Sequence, residues 1–123
     1  MQPADFVTTV FDGKANPEKV TVAFTVALNA LKKGHSTMML LMLQAVELGV
    51  PGATDGMDIG APFAPVSDLL KEYRALGGRV GICYSCMIHN GFTEEQMVPE
   101  YEIVKVPQVV DFLVGSKGSL QIT

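Results

Sequence analysis

The sequence predicts an α/β fold with a mostly parallel sheet of about five strands and helices on both faces. Short runs of strand-forming residues alternate with helix-patterned segments along the whole chain. The run from Ser36 to Leu43 is continuously apolar, as a parallel strand covered on both faces is. Right-handed crossovers between such strands then place helices on both sides of the sheet.

The elements follow in order. Asp5 to Phe11 is rich in β-branched and aromatic residues and reads as the first strand. After the turn Asp12-Gly13-Lys14-Ala15, Asn16 makes an N-cap, with Pro17 at the first helical position and Glu18 in the first turn. That helix runs to Lys32-Lys33 and stops at Gly34. It is apolar nearly all round, so it needs cover on more than one side, from the chain itself or from a second subunit. Ser36 to Leu43 is the second strand. Gln44 to Gly60 reads as a long loop with a helical turn at Ala45 to Leu48; a loop of that length in a compact domain is usually functional or mobile. Pro65 to Leu76 is an amphipathic helix with Val66, Leu69, Leu70, Tyr73 and Leu76 on one face. Gly77-Gly78 introduces the strand Arg79 to Ile82, and a short helix stopped at Gly91 follows. Thr93-Glu94-Glu95-Gln96 is a capping box. Glu102 to Lys105 is a strand, Val109 to Val114 lies in a helix that Pro107 admits, and Gly118 to Thr123 is a last short strand.

At 123 residues the chain is long enough for one domain, spanning 1–123, and too short for two. Its net charge of −4 and its scattered basic residues argue against nucleic acid as a partner. The apolar stretches Val20 to Leu31 and Thr37 to Leu43 are shorter than the ~20 residues a membrane helix needs. The start Met1-Gln2-Pro3-Ala4-Asp5 lacks the basic and apolar regions of a signal peptide, so a cytoplasmic protein with reduced thiols is expected.

The chemistry is concentrated in Cys83-Tyr84-Ser85-Cys86, where both cysteines of the chain stand at the end of a strand. A free thiol with a pKa of ~8.5 is only about 3% thiolate at pH 7. A helix starting near Ser85 would aim its N–H groups at the Cys83 sulfur, and a thiolate near neutrality is the expectation. His89, one turn beyond Cys86, is a candidate to stabilise that thiolate or move a proton. The candidate site is therefore Cys83, Cys86 and His89.

The order Gly77-Gly78, Arg79 to Ile82, Cys83, Cys86 and Asn90-Gly91-Phe92 resembles the DsrE/DsrF-like family, which includes sulfur-relay subunits and YchN-like proteins. The downstream pattern is similar as well: Thr93-Glu94-Glu95, Glu102-Ile103-Val104 and Val109-Val110-Asp111-Phe112. The resemblance implies a three-layer α/β/α fold and homo-oligomers, usually trimers or hexamers. It also implies a strand-end cysteine, here Cys83, that carries sulfane sulfur as a persulfide; Cys86 matches the extra cysteine of the YchN-like branch. Such a sulfurtransferase or sulfur carrier needs donor and acceptor proteins or small thiols as partners, and no cofactor.

Other readings stay open at this level. Cys83 could also be an inert buried thiol that packs as a small hydrophobe, and Cys-x-x-Cys also suits a dithiol redox switch. The helix start at Asn16 and the Gln44 to Gly60 loop could hold a small anion, although Asp12-Gly13-Lys14 is not a phosphate-binding fingerprint. Cys83, Cys86 and His89 give three metal ligands, one short of a closed zinc site. Asp12, Glu47, Asp55 and Asp58 lie near the proposed rim, and their spacing selects no acid–base pair.

Overall fold

The computed structural model describes residues 1–123. Five strands form one sheet: β1 (Phe6–Val10), β2 (Thr37–Leu41), β3 (Arg79–Cys83), β4 (Glu102–Val104) and β5 (Gly118–Ile122). Their order is β4-β3-β2-β1-β5, and every pairing is parallel. Four α-helices connect them: α1 (Pro17–Lys32), α2 (Val66–Ala75), α3 (Tyr84–His89) and α4 (Val106–Gly115). The chain steps outward from β1 to β4, and α4 then carries it back across the sheet to place β5 beyond β1.

Side chains alternate between the faces of each strand, which explains the continuous apolar run of β2. Met39 and Leu41 join the larger apolar cluster with Phe24 and Leu28 of α1 and Leu69 and Tyr73 of α2. Met38 and Leu40 join a smaller cluster with Val109 and Phe112 of α4. The architecture is therefore three-layered, as expected. No helix is long and apolar enough to cross a membrane.

The helix boundaries follow their local signals. Asn16 Oδ1 accepts from the Lys19 N–H at 3.4 Å, and Pro17 opens α1. α1, α2 and α3 all end in the same paired hydrogen bonds across a glycine. In α2 the Gly77 N–H reaches the Arg74 carbonyl at 3.0 Å, and the Gly78 N–H reaches that of Tyr73 at 2.8 Å. Gly34, Gly77 and Gly91 take the left-handed conformation this requires, with φ of 90°, 89° and 82°. α4 starts at Val106 with Pro107 in its first turn and contains Val109 to Val114, as the sequence predicts.

Two expectations change. Leu76 lies beyond the buried face of α2 as its cap residue and is 51% exposed. The helical turn expected at Ala45 to Leu48 is present as the 3₁₀ helix Leu43–Gly49, but the segment is not an open loop: Ala45, Val46, Leu48 and Met57 pack into the larger cluster. Spacing alone could not reveal this, since the apolar residues there fit neither a helical nor a strand period.

The base of β3 is held from two sides. Tyr73 is fully buried, and its hydroxyl lies 2.6 Å from the Arg79 carbonyl and 3.1 Å from that of Thr37, so burial raises its pKa well above the ordinary value. Arg79 forks onto Glu102 through Nε at 2.8 Å and Nη2 at 2.7 Å, and its Nη1 donates to the Gln2 carbonyl at 2.7 Å. Its guanidinium carbon also lies 5.2 Å from the Phe112 ring centroid. One planar cation thereby joins β3, β4, the amino-terminal segment and α4.

Candidate functional site

β3 passes into α3 with no intervening loop, so Cys83 is both the last strand residue and the N-cap of the helix. Arg79 and Gly81 face the α4 side of the sheet, and alternation along the strand turns Cys83 the same way. Cys83 is only 1% exposed, yet it belongs to neither apolar cluster. The residue is closed to water.

The protonation state departs from expectation. Burial pushes the Cys83 thiol up first, and the neighbouring Cys86 thiol adds to the rise. The N–H groups of Cys86 and Ser85 pull the other way, but they do not close a side-chain cap hydrogen bond and do not win. Position at a helix start was thus a poor guide, because α3 has six residues and a small dipole, while burial depends on the whole fold. A raised pKa means that the proton stays on, so less than the ~3% thiolate of a free thiol is present at pH 7. In Cys86→Ser protein, the alkylation rate of Cys83 is expected to keep climbing with pH beyond about 8.5. A plateau reached below pH 8 would contradict the burial argument.

Cys86 is half-buried and packs against the larger cluster. Its carbonyl accepts from the Asn90 N–H at 3.0 Å and from Asn90 Nδ2 at 2.8 Å, which closes α3. Asn90 Nδ2 also lies 3.3 Å from the Leu43 carbonyl, tying the helix end to the 3₁₀ turn. The fold therefore brings Cys83 and Cys86 together and fixes their turn. His89 is exposed in the last turn of α3 and makes no hydrogen bond to either sulfur. No three His, Cys, Asp or Glu side chains gather as a metal site, so Cys83, Cys86 and His89 do not form the ligand set considered from sequence.

The anion reading of the β1–α1 turn is also corrected. Glu47 Oε2 accepts from the Lys14 N–H at 2.9 Å, and its carboxylate fills the space beside Gly13. Asp12 lies 2.9 Å from Lys19 Nζ and accepts from Asn16 Nδ2 at 3.3 Å. The protein's own acids thus take the Lys14 N–H and the Lys19 and Asn16 side-chain donors beside this helix start, and their negative charge disfavours an anion there. A cavity of about 370 Å³ opens elsewhere, between α2 and the segments 48–55 and 98–101. Cys83 lines none of the five principal cavities.

One feature near the cysteines escapes sequence reasoning. Cys83 stands opposite Val104 in the β3–β4 register, so the next residues, Tyr84 and Lys105, emerge side by side. Lys105 Nζ lies 5.8 Å from the Tyr84 ring centroid. Only the strand pairing brings these residues together.

The sequence profile of the DsrE/DsrF-like family matches residues 5–116. The chain belongs to the DsrE/DsrF-like family. No curated protein matches it significantly. Among solved structures, this family member is similar to the YchN protein from E. coli, with a TM-score of 0.75 and 16% identity over 98% of this chain and 99% of that one. It is also similar to BT1422, a conserved protein of unknown function from Bacteroides thetaiotaomicron, with a TM-score of 0.66 and 16% identity over 96% and 95% of the two chains. At that identity the likeness establishes the shared fold.

Proposed function

We propose that this DsrE/DsrF-like protein is a cytoplasmic sulfur carrier that holds sulfane sulfur as a persulfide on Cys83. The observation that carries the reading is the state of that sulfur: shielded from water at the carboxyl end of β3, and coupled to a second thiol one helical turn away. Family membership, in a group that includes sulfur-relay proteins, supports it.

The steps balance simply. The Cys83 thiolate attacks the outer sulfur of a donor persulfide, the donor's S–S bond breaks, and the donor leaves as a thiolate. An acceptor thiolate then attacks the outer sulfur on Cys83 and restores the Cys83 thiolate. Shielding slows competing hydrolysis and oxidation of the loaded sulfur, while a raised pKa gives fewer but more nucleophilic thiolates. Cys86 offers an exit: its thiolate attacks the Cys83 sulfur, forms the Cys83–Cys86 disulfide and expels hydrosulfide. The same pair supports a second reading, a dithiol switch oxidised by an external disulfide and returned by a dithiol. Sulfur loading separates the two. After incubation of Cys86→Ser protein with polysulfide, the intact mass is expected to rise by about one sulfur atom and to return on reduction. No sulfur gained in that variant, with the wild type going only to the Cys83–Cys86 disulfide, would favour the switch.

We also propose that the carrier works as a homo-oligomer, a trimer or a hexamer. Val106, Val110 and Val114 recur at helical spacing on the outer face of α4, at 51%, 52% and 79% exposure. Light scattering is expected to give three or six times the 13.2 kDa chain mass; a monomer would contradict the proposal.

A further inference from the structure

We infer that the cavity between α2 and the segments 48–55 and 98–101 is a binding site for a small organic monocarboxylate. The inference stands apart from the sulfur-carrier reading, because Cys83 does not line this cavity.

The space is about 370 Å³, within the range of small-molecule sites, and its walls are fixed by the fold. Val50, Leu70 and Tyr101 pack against the larger apolar cluster. The Ala53 N–H reaches the Val50 carbonyl at 3.0 Å, and the Tyr101 N–H reaches that of Val98 at 3.0 Å. The Val98 N–H joins the two segments through the Gly49 carbonyl at 2.9 Å.

Polar groups converge on this apolar frame. Ser67, Lys71 and Arg74 recur at helical spacing along one side of α2, and all three line the cavity. Neither Lys71 nor Arg74 makes an ion pair, whereas Lys19, Lys32, Arg79 and Lys117 do. The Arg74 guanidinium carbon lies 4.9 Å from the Tyr101 ring centroid, so an aromatic face holds the planar fork that pairs best with a carboxylate. Thr54 is the independent sign of a ligand. It is only 4% exposed and lines the same cavity, and its hydroxyl makes no hydrogen bond within the protein. Unlike those of Thr8 and Thr9, that hydroxyl is not sealed off, and the cavity is the space it meets.

The charges select the ligand class. Asp55 and Glu100 also line the cavity, and both are exposed. Burial raises the pKa of the Tyr101 hydroxyl first, and of the two charges acting on it Arg74 outweighs Glu100. A single carboxylate gains from the two unpaired cations. The further charges of a polyanion such as phosphate would face the acids or the apolar wall of Leu48, Val50 and Val98. That wall suits a short hydrocarbon or aromatic body.

The test is an amide NMR titration of the whole chain with benzoate, with neutral benzamide and inorganic phosphate as comparisons. Benzoate is expected to shift the signals of residues 48–55, 98–101 and the Ser67 to Arg74 side of α2. Arg74→Gln is expected to weaken benzoate about tenfold, and Arg74→Lys to recover part of that loss, since the charge returns without the fork. Thr54→Val, which deletes the hydroxyl and keeps the shape, is expected to weaken benzoate about threefold. Thermal melts of the variants confirm that each is folded. No benzoate shifts in this region, or an affinity unchanged by Arg74→Gln, overturns the site. Equal binding of benzamide or of phosphate overturns the ligand class, and an affinity unchanged by Thr54→Val overturns the part assigned to its hydroxyl.

Discussion

Cys83→Ser is expected to abolish sulfur loading, whereas Cys86→Ser is expected to leave loading intact and lengthen the life of the loaded state. The asymmetry follows from where the two thiols stand. Cys83 closes the central part of the sheet at the carboxyl end of β3, where ligands of parallel α/β folds gather, and its sulfur is excluded from water. Serine at 83 keeps the shape and the polar turn but offers no sulfur to accept or release. Cys86 is more open and packs its body on the larger cluster. Removing its thiol deletes the nucleophile that would cleave the persulfide and expel hydrosulfide, so the product should persist. Intact mass against time, after excess polysulfide is removed, reads both effects. Loading lost only in Cys86→Ser would reverse the two roles.

Gly78→Ala is expected to destabilise the fold by about 2–3 kcal/mol, lowering the thermal midpoint by roughly 10 °C. A Cβ at position 78 would meet the Cε1, Cε2 and Cζ atoms of Tyr73 at 2.5 Å each. That ring has nowhere to go: it is fully buried, stands edge-on to Phe24 at 6.4 Å, and is pinned through its hydroxyl to the first residues of β2 and β3. The insertion would displace either the ring or the start of the strand that ends at Cys83. Gly77→Ala makes the control. No atom lies within 4 Å of a Cβ there, and only the φ of 89° resists the substitution. Its cost should stay near 1–2 kcal/mol, the price of a left-handed L-residue. Thermal melts of the two variants compare the effects directly; equal losses would show that ring crowding is not what makes Gly78 necessary.

Much of this architecture was legible because its signals are local. Asn16-Pro17, Gly34, Gly77 and Gly91 mark helix ends through backbone requirements that hold wherever such helices fold. The continuous apolar run of β2 announced a strand covered on both faces. Other features depend on contacts between distant segments. The closure of Leu43–Gly49 onto the core, the capture of Lys14 by Glu47, and the meeting of Lys105 with Tyr84 all follow from how strands and turns pair in space. The Cys83 protonation state belongs to the same group. Sequence shows the favourable helix start, but only the fold shows that water is shut out, and exclusion of water outweighs two N–H groups.

The central claim is that sulfur resides on Cys83. Wild-type protein is loaded with polysulfide, its persulfides are trapped by alkylation, and the peptide carrying both cysteines is fragmented to locate the added sulfur. The account predicts the trapped sulfur on Cys83. Sulfur found on Cys86 alone, or no sulfur trapped even when Cys86→Ser protein is loaded in the same way, would contradict it.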